Sequence, residues 1–310
     1  MTEIISLIAF LLLAFSIGSN DTSNAFGICI GCKIINLKKA VILLFVLALI
    51  GLTIQGGKVI ETVGEKITTL NAQISSIALI VSALVVILSN FRGNPLSTHQ
   101  VIVGGISGVA VAFGAPVSLK TLSEIILSWI LSPILAGILA ILIFYSLERI
   151  LKAPTLIVEK TLRHLMLCSA MLIAYNMGAN ELATAIAPLV ATGIDRSIAI
   201  LGPFFLALGA LALSRRIAET LCKKITTIDP KSGFSAQFAA GLSVYTFTVL
   251  GMPVSTTYSL VGGISAIGLS KGVRAIKIGK LREIILGWIF APVIAFVFGY
   301  VISKAFIFYC

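Results

Sequence analysis

Apolar stretches of about twenty residues recur along the whole of this 310-residue chain and limit its fold more than any other feature. A helix needs about 20 apolar residues to cross the hydrocarbon core of a bilayer, which is about 30 Å thick. Charged residues make up 11% of the chain, too few to cover a water-facing surface, since soluble domains carry roughly 25%. The pattern therefore predicts an all-α integral membrane protein.

Ten apolar units are separated by short polar or charged segments. Each unit predicts a helix or a pair of helices, because backbone polar groups in lipid need partners within the chain. The first unit lacks the charged start and small-residue cleavage site of a signal peptide, so we expect it in the mature protein. The units lie near 4–31, 39–57, 73–91, 94–117, 124–147, 165–193, 197–214, 234–251, 252–270 and 283–303.

The two halves of the chain repeat one another. The segment PLSTHQVIVGGISG returns as PVSTTYSLVGGISA, with eight of fourteen positions identical, and two further segments match in nearly the same register. Three matches in one register indicate a structural repeat, and we predict one repeat in 1–150 and a second in 151–310. The matched segments are 18–27 with 178–187, 95–108 with 253–266, and 124–133 with 283–292.

Lysine and arginine positions predict the orientation. If each half crosses the membrane five times and the N-terminus is outside, the cytoplasmic segments hold 18 of these cations and the outer segments hold 5. The positive-inside rule favours that arrangement, and the bias disappears if units 94–117 and 252–270 turn back without crossing. An odd number of crossings inverts the second half relative to the first, as in many secondary transporters with a site near the midplane.

The predicted fold is therefore two inverted-topology repeats of about five membrane-crossing units each. We expect broken helices or re-entrant hairpins at the midplane, a cell-membrane location and both termini outside. The net charge of +11 does not indicate nucleic-acid binding, because the charges lie in the short segments between apolar units.

Carboxylates occur inside two apolar units. The sequence GSND at 18–21 is expected to interrupt the first helix about midway, and its counterpart is GANE at 178–181. A carboxylate at bilayer depth costs at least ~2.5 kcal/mol, so each should face a polar cavity or a bound cation. The alternative is an interhelical hydrogen-bonded pair that only holds the bundle together. The predicted Na⁺ ligands are Asn20, Asp21, Asn180 and Glu181.

Hydroxyl-rich motifs follow a proline in both halves, as PLSTH at 95–99 and PVSTT at 253–257. This order predicts a helix N-terminus after a break, where exposed N–H groups and the helix dipole bind anions. The alternative is ordinary N-capping, and both can hold together. The predicted anion-contacting residues are Ser97, Thr98, Ser255, Thr256 and Thr257.

Three other features have simpler interpretations. His99 is expected to make a supporting hydrogen bond, with proton relay as the alternative. Trp129 and Trp288 occupy equivalent repeat positions and are expected to be anchors at the membrane interface. The glycines of the paired VGG segments are expected to allow close helix packing; these are Gly104, Gly105, Gly262 and Gly263.

The duplicated motifs resemble the paired signatures of the inorganic phosphate transporter family of sodium/phosphate and proton/phosphate symporters, along essentially the whole chain. The resemblance implies cation-coupled phosphate uptake, a homodimer and a substrate site formed by both repeats. It implies that the carboxylate motifs bind the coupling cation and the hydroxyl motifs contact phosphate. Glu181 departs from the family pattern, which usually has aspartate there, and this puts the number or type of coupling ions in question.

The residues themselves favour phosphate over sulfate. Hydrogen phosphate can donate a hydrogen bond to a carboxylate, whereas sulfate cannot, so carboxylates beside hydroxyl donors penalise sulfate. Sulfate remains the alternative substrate, and H⁺ the alternative to Na⁺ as coupling ion. A passive channel is a further alternative. We expect neither enzymatic activity nor a cofactor, because the sequence offers no metal-ligand cluster or activated nucleophile.

Overall fold

A computed structural model describes residues 2–91, 97–151, 156–194, 196–212, 229–272 and 278–309. Within these ranges the chain forms twelve α-helices and no β-strand, which confirms the all-α prediction. Two π-turns and a short 3₁₀ turn join some of them. The helices are α1 (Thr2–Gly31), α2 (Leu37–Gln55), α3 (Gly57–Glu61), α4 (Ala72–Phe91), α5 (Thr98–Ala112), α6 (Leu119–Ile150), α7 (Leu156–Asn176), α8 (Ala183–Val190), α9 (201–212), α10 (Pro230–Val249), α11 (Thr256–Ser270) and α12 (Ile278–Tyr309).

Every predicted apolar unit contains at least one of these helices. In the described part of the chain, α1, α2, α4, α6 and α12 are long and apolar enough to cross a bilayer. Helix α5 has 15 residues and is therefore about 22 Å long, which is shorter than the hydrocarbon core. The chain is thus a membrane protein, whereas five crossings per half and the location of the termini stay predictions.

The predicted interruption of the first helix is wrong. Helix α1 runs without a break through Gly18 and Asp21. Hydroxyl side chains in this stretch donate to carbonyls three or four residues earlier, as Thr22 Oγ1 does to Gly18 O at 2.6 Å, so the hydroxyls find partners within the helix and need no break. The counterpart in the second half lies in the π-turn Met177–Leu182 between α7 and α8, which widens the helix locally.

Glycine contacts bring helices of the two predicted halves close together. A Cβ placed on Gly104 of α5 would lie 2.3 Å from the carbonyl oxygen of Pro292 in α12. The equivalent glycine of the second half, Gly262 in α11, would clash in the same way with Pro133 O of α6, at 2.2 Å. The close packing predicted for these glycines is confirmed, because no side chain fits between the paired helices.

The glycines of the two carboxylate motifs also make a matched pair of contacts between the predicted halves. A Cβ on Gly18 would lie 1.8 Å from Leu206 O of α9, and a Cβ on Gly178 would lie 1.8 Å from Ala48 O of α2. The same contact is therefore made twice, each time between a glycine of one half and the equivalent helix of the other. A two-fold relation between the halves would produce such a pair of contacts. The inverted orientation of the halves and their division at 150/151 stay predictions.

One face of α6 is apolar and exposed. Leucine or isoleucine recurs at every fourth position, so these side chains share one face of the helix. In a membrane protein such a face meets lipid. The stripe consists of Ile126, Ile130, Ile134, Ile138 and Leu142.

A polar cluster joins α10 to the end of α11. Asp229 caps α10 by accepting from the N–H and hydroxyl of Ser232, at 3.0 and 2.7 Å, and it also pairs with Lys271. Burial alone would raise the pKa of Asp229, but the hydrogen bonds from Lys271 and Ser232 lower it to about 2. Asp229 therefore stays ionised at neutral pH, which keeps the start of α10 attached to the end of α11.

Candidate functional site

Asn20 and Asp21 lie on α1 just after Gly18, where the backbone of this helix approaches that of α9. The backbone approach at Gly18 fixes the height and rotation of α1, and this places the Asp21 carboxylate inside the bundle. Its side chain is buried, with 9% exposure. The carboxylate oxygen Oδ1 accepts from Asn24 Nδ2 at 3.1 Å and from Thr257 Oγ1 at 3.3 Å. Asp21 therefore connects α1 to the first turn of α11.

Glu181 lies in the π-turn of the second half and is 3% exposed. Its Oε1 atom accepts a hydrogen bond of 2.7 Å from Thr256 Oγ1. Its Oε2 atom is buried and has no hydrogen-bond partner among the described residues. Both carboxylates thus meet the N-terminus of α11, each through a different threonine.

Asn180 supports the break between α10 and α11. Its Nδ2 atom donates to Thr248 Oγ1 at 2.7 Å and to Met252 O at 3.0 Å, and its Oδ1 atom accepts from Val254 N at 3.0 Å. The chain turns there at Gly251, whose φ of +78° suits glycine. These bonds commit the Asn180 amide to the backbone that leads into α11.

The hydroxyl motifs start two helices, as predicted. Ser97 and Ser255 are extended residues immediately before α5 and α11. The Ser255 side chain accepts from Tyr258 N at 3.4 Å, whereas Ser97 makes no such capping bond. Pro95, the first residue of the first motif, lies outside the described residues. Both helix N-termini point their first turns towards one pocket.

That pocket has a volume of about 130 Å³ and brings together residues from both predicted halves. Seven of the nine predicted site residues line it, and none of the described residues in its lining is lysine or arginine. The other two are Asn180, which accepts from Val254 N just before the lining residue Ser255, and Thr256, which donates to the lining residue Glu181. The lining residues are Asn20, Asp21, Ser23, Asn24, Ser97, Thr98, His99, Glu181, Ser255, Thr257 and Tyr258.

The sequence reasoning missed several residues of this site. Asn24 lies three positions after Asp21, on the same face of α1, and also donates to Thr257 Oγ1 at 2.8 Å. Tyr258 lines the pocket, and its hydroxyl group makes a 2.6 Å hydrogen bond with Gln100 Oε1 of α5. Tyr258 and Gln100 occupy equivalent positions of the two PxST motifs, and that equivalence was the signal that they could meet across the site.

The predicted role of Trp129 as an interfacial anchor is wrong. Its side chain is 8% exposed, and its indole Nε1 donates to Pro253 O at 2.7 Å. This bond holds the backbone just before Ser255. Trp288, the equivalent residue, stacks on Tyr258 with ring centroids 4.0 Å apart. Trp129 therefore supports the pocket by a hydrogen bond to the backbone before α11, and Trp288 supports it by ring packing against Tyr258.

Three comparisons with known proteins agree with one another. The sequence model of the phosphate transporter family matches residues 17–299. A candidate phosphate permease of Methanocaldococcus jannaschii is 37% identical over 302 residues, covering 96% of this chain and 95% of that protein. One from Pyrococcus furiosus is 27% identical and covers 98% of this chain and 97% of its own length. The fold is similar to that of a solved sodium-dependent phosphate transporter, with a TM-score of 0.85, 22% identity and 98% of each chain covered.

Proposed function

Because this chain belongs to the phosphate transporter family, we propose that it takes up inorganic phosphate together with a cation by alternating access. The observation that carries this proposal is the single pocket in which two buried carboxylates meet the N-termini of α5 and α11. Each helix end offers unpaired backbone N–H groups and the positive end of a helix dipole to an anion. Hydroxyls of Ser97, Thr98 and Ser255 line the same pocket and can donate to phosphate oxygens. Thr257 also lines it, and its one hydroxyl proton is donated to Asp21.

The charges in the pocket supply the reason for coupling. Phosphate entering beside Asp21 and Glu181 adds negative charge to a site where the described lining residues include no lysine or arginine. Like charges repel strongly where water is excluded. A cation that enters with phosphate removes that repulsion, so each ligand stabilises binding of the other. This reciprocal effect is the thermodynamic basis of symport.

We assign the cation to the carboxylate side of the pocket. Both donors to Asp21 reach Oδ1, which leaves its second oxygen for a cation. Asn20 supplies an amide oxygen from the same helix, and oxygen ligands of this kind suit a hard cation. The sequence predicts Asn180 and Glu181 as further ligands from the other half. The Asn180 amide is already bonded to the backbone before α11, so we place the cation at Asn20 and Asp21. The name of the solved sodium-dependent transporter supports Na⁺ over H⁺.

Uptake into proteoliposomes tests the proposal. We expect radiolabelled phosphate to accumulate against its gradient when Na⁺ is high outside, and accumulation to stop when a sodium ionophore removes that gradient. Phosphate flux that only equilibrates would indicate a channel, and uptake driven by a pH gradient alone would assign H⁺ as the coupling ion. Stronger uptake of sulfate than of phosphate would make sulfate the substrate. Light scattering of the purified protein in detergent, separated by size-exclusion chromatography, tests the predicted homodimer.

A further inference from the structure

Three buried polar atoms of the pocket-lining residues lack a hydrogen-bond partner in the described ranges. One is Ser97 Oγ, and the other two are Glu181 Oε2 and His99 Nε2. The side chains of Glu181 and His99 are 3% and 2% exposed. Leaving such atoms unpaired is costly, so native proteins rarely do it without a functional reason. A ligand that enters the pocket can supply the missing partner for each.

The residues around Glu181 differ from those around the equivalent residue Asp21. The unpaired atoms of Glu181 and His99 are therefore not a consequence of the repeat alone. Asp21 of the first half accepts from Asn24 of its own half and from Thr257 of the second half. The residue equivalent to Asn24 is Thr184, whose hydroxyl donates instead to Asn180 O at 2.8 Å in its own helix. The residue equivalent to Thr257 is His99. Glu181 therefore keeps one oxygen open.

We propose that Glu181 Oε2 accepts the hydrogen bond of the protonated oxygen of phosphate, while His99 Nε2 donates to a neighbouring oxygen of the same anion. The inference rests on the proposed function and gives the site its preference among tetrahedral anions. Both phosphate ions present near neutral pH carry a P–OH group. Sulfate has no proton to donate and would place an oxygen lone pair against the carboxylate.

This assignment separates the roles of the two carboxylates. Asp21, which is supported by Asn24 and Thr257, holds the cation, and Glu181 recognises the proton on the substrate. A site built to bond a substrate hydroxyl rejects an analogue that lacks it, because its own buried group is then left unpaired. Arsenate, which is also protonated near neutral pH, should be accepted like phosphate.

Glu181→Gln tests the assignment, because glutamine keeps the shape of the side chain but offers an amide that can donate to sulfate. Binding of labelled phosphate to purified protein is measured at saturating Na⁺, with sulfate as competitor. We expect the Kd for phosphate to rise by roughly 10- to 100-fold, and sulfate to become a competitor. The Na⁺ concentration for half-maximal binding should stay unchanged. Asp21→Asn is the comparison, in which the Na⁺ requirement changes and sulfate stays excluded.

His99→Leu provides a second readout, which also serves if Glu181→Gln does not fold. Loss of a donor should weaken phosphate and arsenate alike, without admitting sulfate. Unchanged phosphate binding in His99→Leu, or a Glu181→Gln protein that still excludes sulfate while its Na⁺ requirement shifts, overturns the proposal. If the unaltered protein neither binds nor transports phosphate, the proposed function itself fails. Phosphate uptake with unchanged anion selectivity in Glu181→Gln rejects this inference alone.

Discussion

Asp21 sits in α1 with two side chains donating to the same carboxylate oxygen, from Asn24 of its own helix and from Thr257 of α11. A cation at the other oxygen of Asp21 would lie between these two helices. Binding of the cation would therefore affect the position of the start of α11. A residue so placed can join cation binding to anion binding directly.

We therefore expect Asp21→Asn to abolish most Na⁺-dependent phosphate uptake while the protein stays folded. Asparagine keeps the shape and can still accept from Asn24 and Thr257, but it supplies no negative charge for the cation. Initial uptake rates measured over a series of Na⁺ concentrations check this.

Glu159→Gln is the matched control for that variant. Glu159 is exposed and forms an ion pair with Arg163 one helical turn away, at 3.1 Å. Such exposed pairs contribute at most about 1 kcal/mol, so uptake should not change. Sodium dependence that survives in Asp21→Asn would reduce the carboxylate motif to a structural contact.

Some of these residues could be found from the sequence because a carboxylate or amide inside an apolar unit is costly and needs an explanation. The continuity of α1 could not, since Gly18 indicates a break and a close backbone contact equally well. The contact with Leu206 O decides between them. The prediction for Trp129 was wrong for a similar reason. A tryptophan near a helix end can lie at the membrane interface or donate to a buried backbone carbonyl, and the sequence does not distinguish the two.

At the scale of helices, the exchanged glycine contacts hold α5 against α12 and α11 against α6. Helices α5 and α11 start at the pocket, so any change in these contacts moves the two anion-facing N-termini relative to each other. Close backbone contact between small residues is a main source of helix association in lipid.

Gly104→Ala is expected to lower the stability of the protein, because the new Cβ would lie 2.3 Å from Pro292 O. Forcing a methyl group into a packed contact costs about 1–3 kcal/mol, and the helices would have to separate. The melting temperature in detergent, followed by intrinsic fluorescence, measures the effect.

Gly287→Ala in α12 is the control for the same substitution. A Cβ at Gly287 meets nothing within 4 Å, and alanine is a better helix former than glycine by up to about 1 kcal/mol. The melting temperature should therefore stay equal or rise. Equal losses in Gly104→Ala and Gly287→Ala would mean that the contact with Pro292 does not hold these helices together.

At the scale of the whole chain, the family resemblance of the motifs is confirmed, as are the helical fold and the membrane character. These depended on long apolar runs and duplicated motifs, which are properties of the sequence itself. The pairing of Tyr258 with Gln100 depends on how two helices approach each other in three dimensions. The sequence motifs show that these two positions are equivalent, but they do not show how far apart the two side chains lie.

Orientation in the membrane leads to a prediction about accessibility. Lys120 and Lys160 are both exposed lysines near helix starts, and the distribution of positive charge places Lys120 outside and Lys160 inside. In a background with the five native cysteines replaced by serine, Lys120→Cys should react with a membrane-impermeant maleimide added to intact cells. Lys160→Cys should react only after the membrane is opened.

The two variants control for each other, because both replace an exposed lysine by cysteine. Labelling of Lys160→Cys but not of Lys120→Cys in intact cells would mean that the chain inserts the other way round. Labelling of both from outside would rule out an odd number of crossings between them.

The exchanged glycine contacts also bear on how such a chain could arise. Each half offers glycines to the backbone of the other half and receives them in return, as the subunits of a symmetric dimer do. A separate half would leave these surfaces uncovered and would be expected to pair with a second copy of itself. Once the two copies share one polypeptide, each can change alone. The packing glycines are alike in both halves, whereas the pocket residues differ: Asp21 is matched by Glu181, and Thr257 is matched by His99. Fusion would thus have allowed a site that a true homodimer, with two identical halves, could not encode.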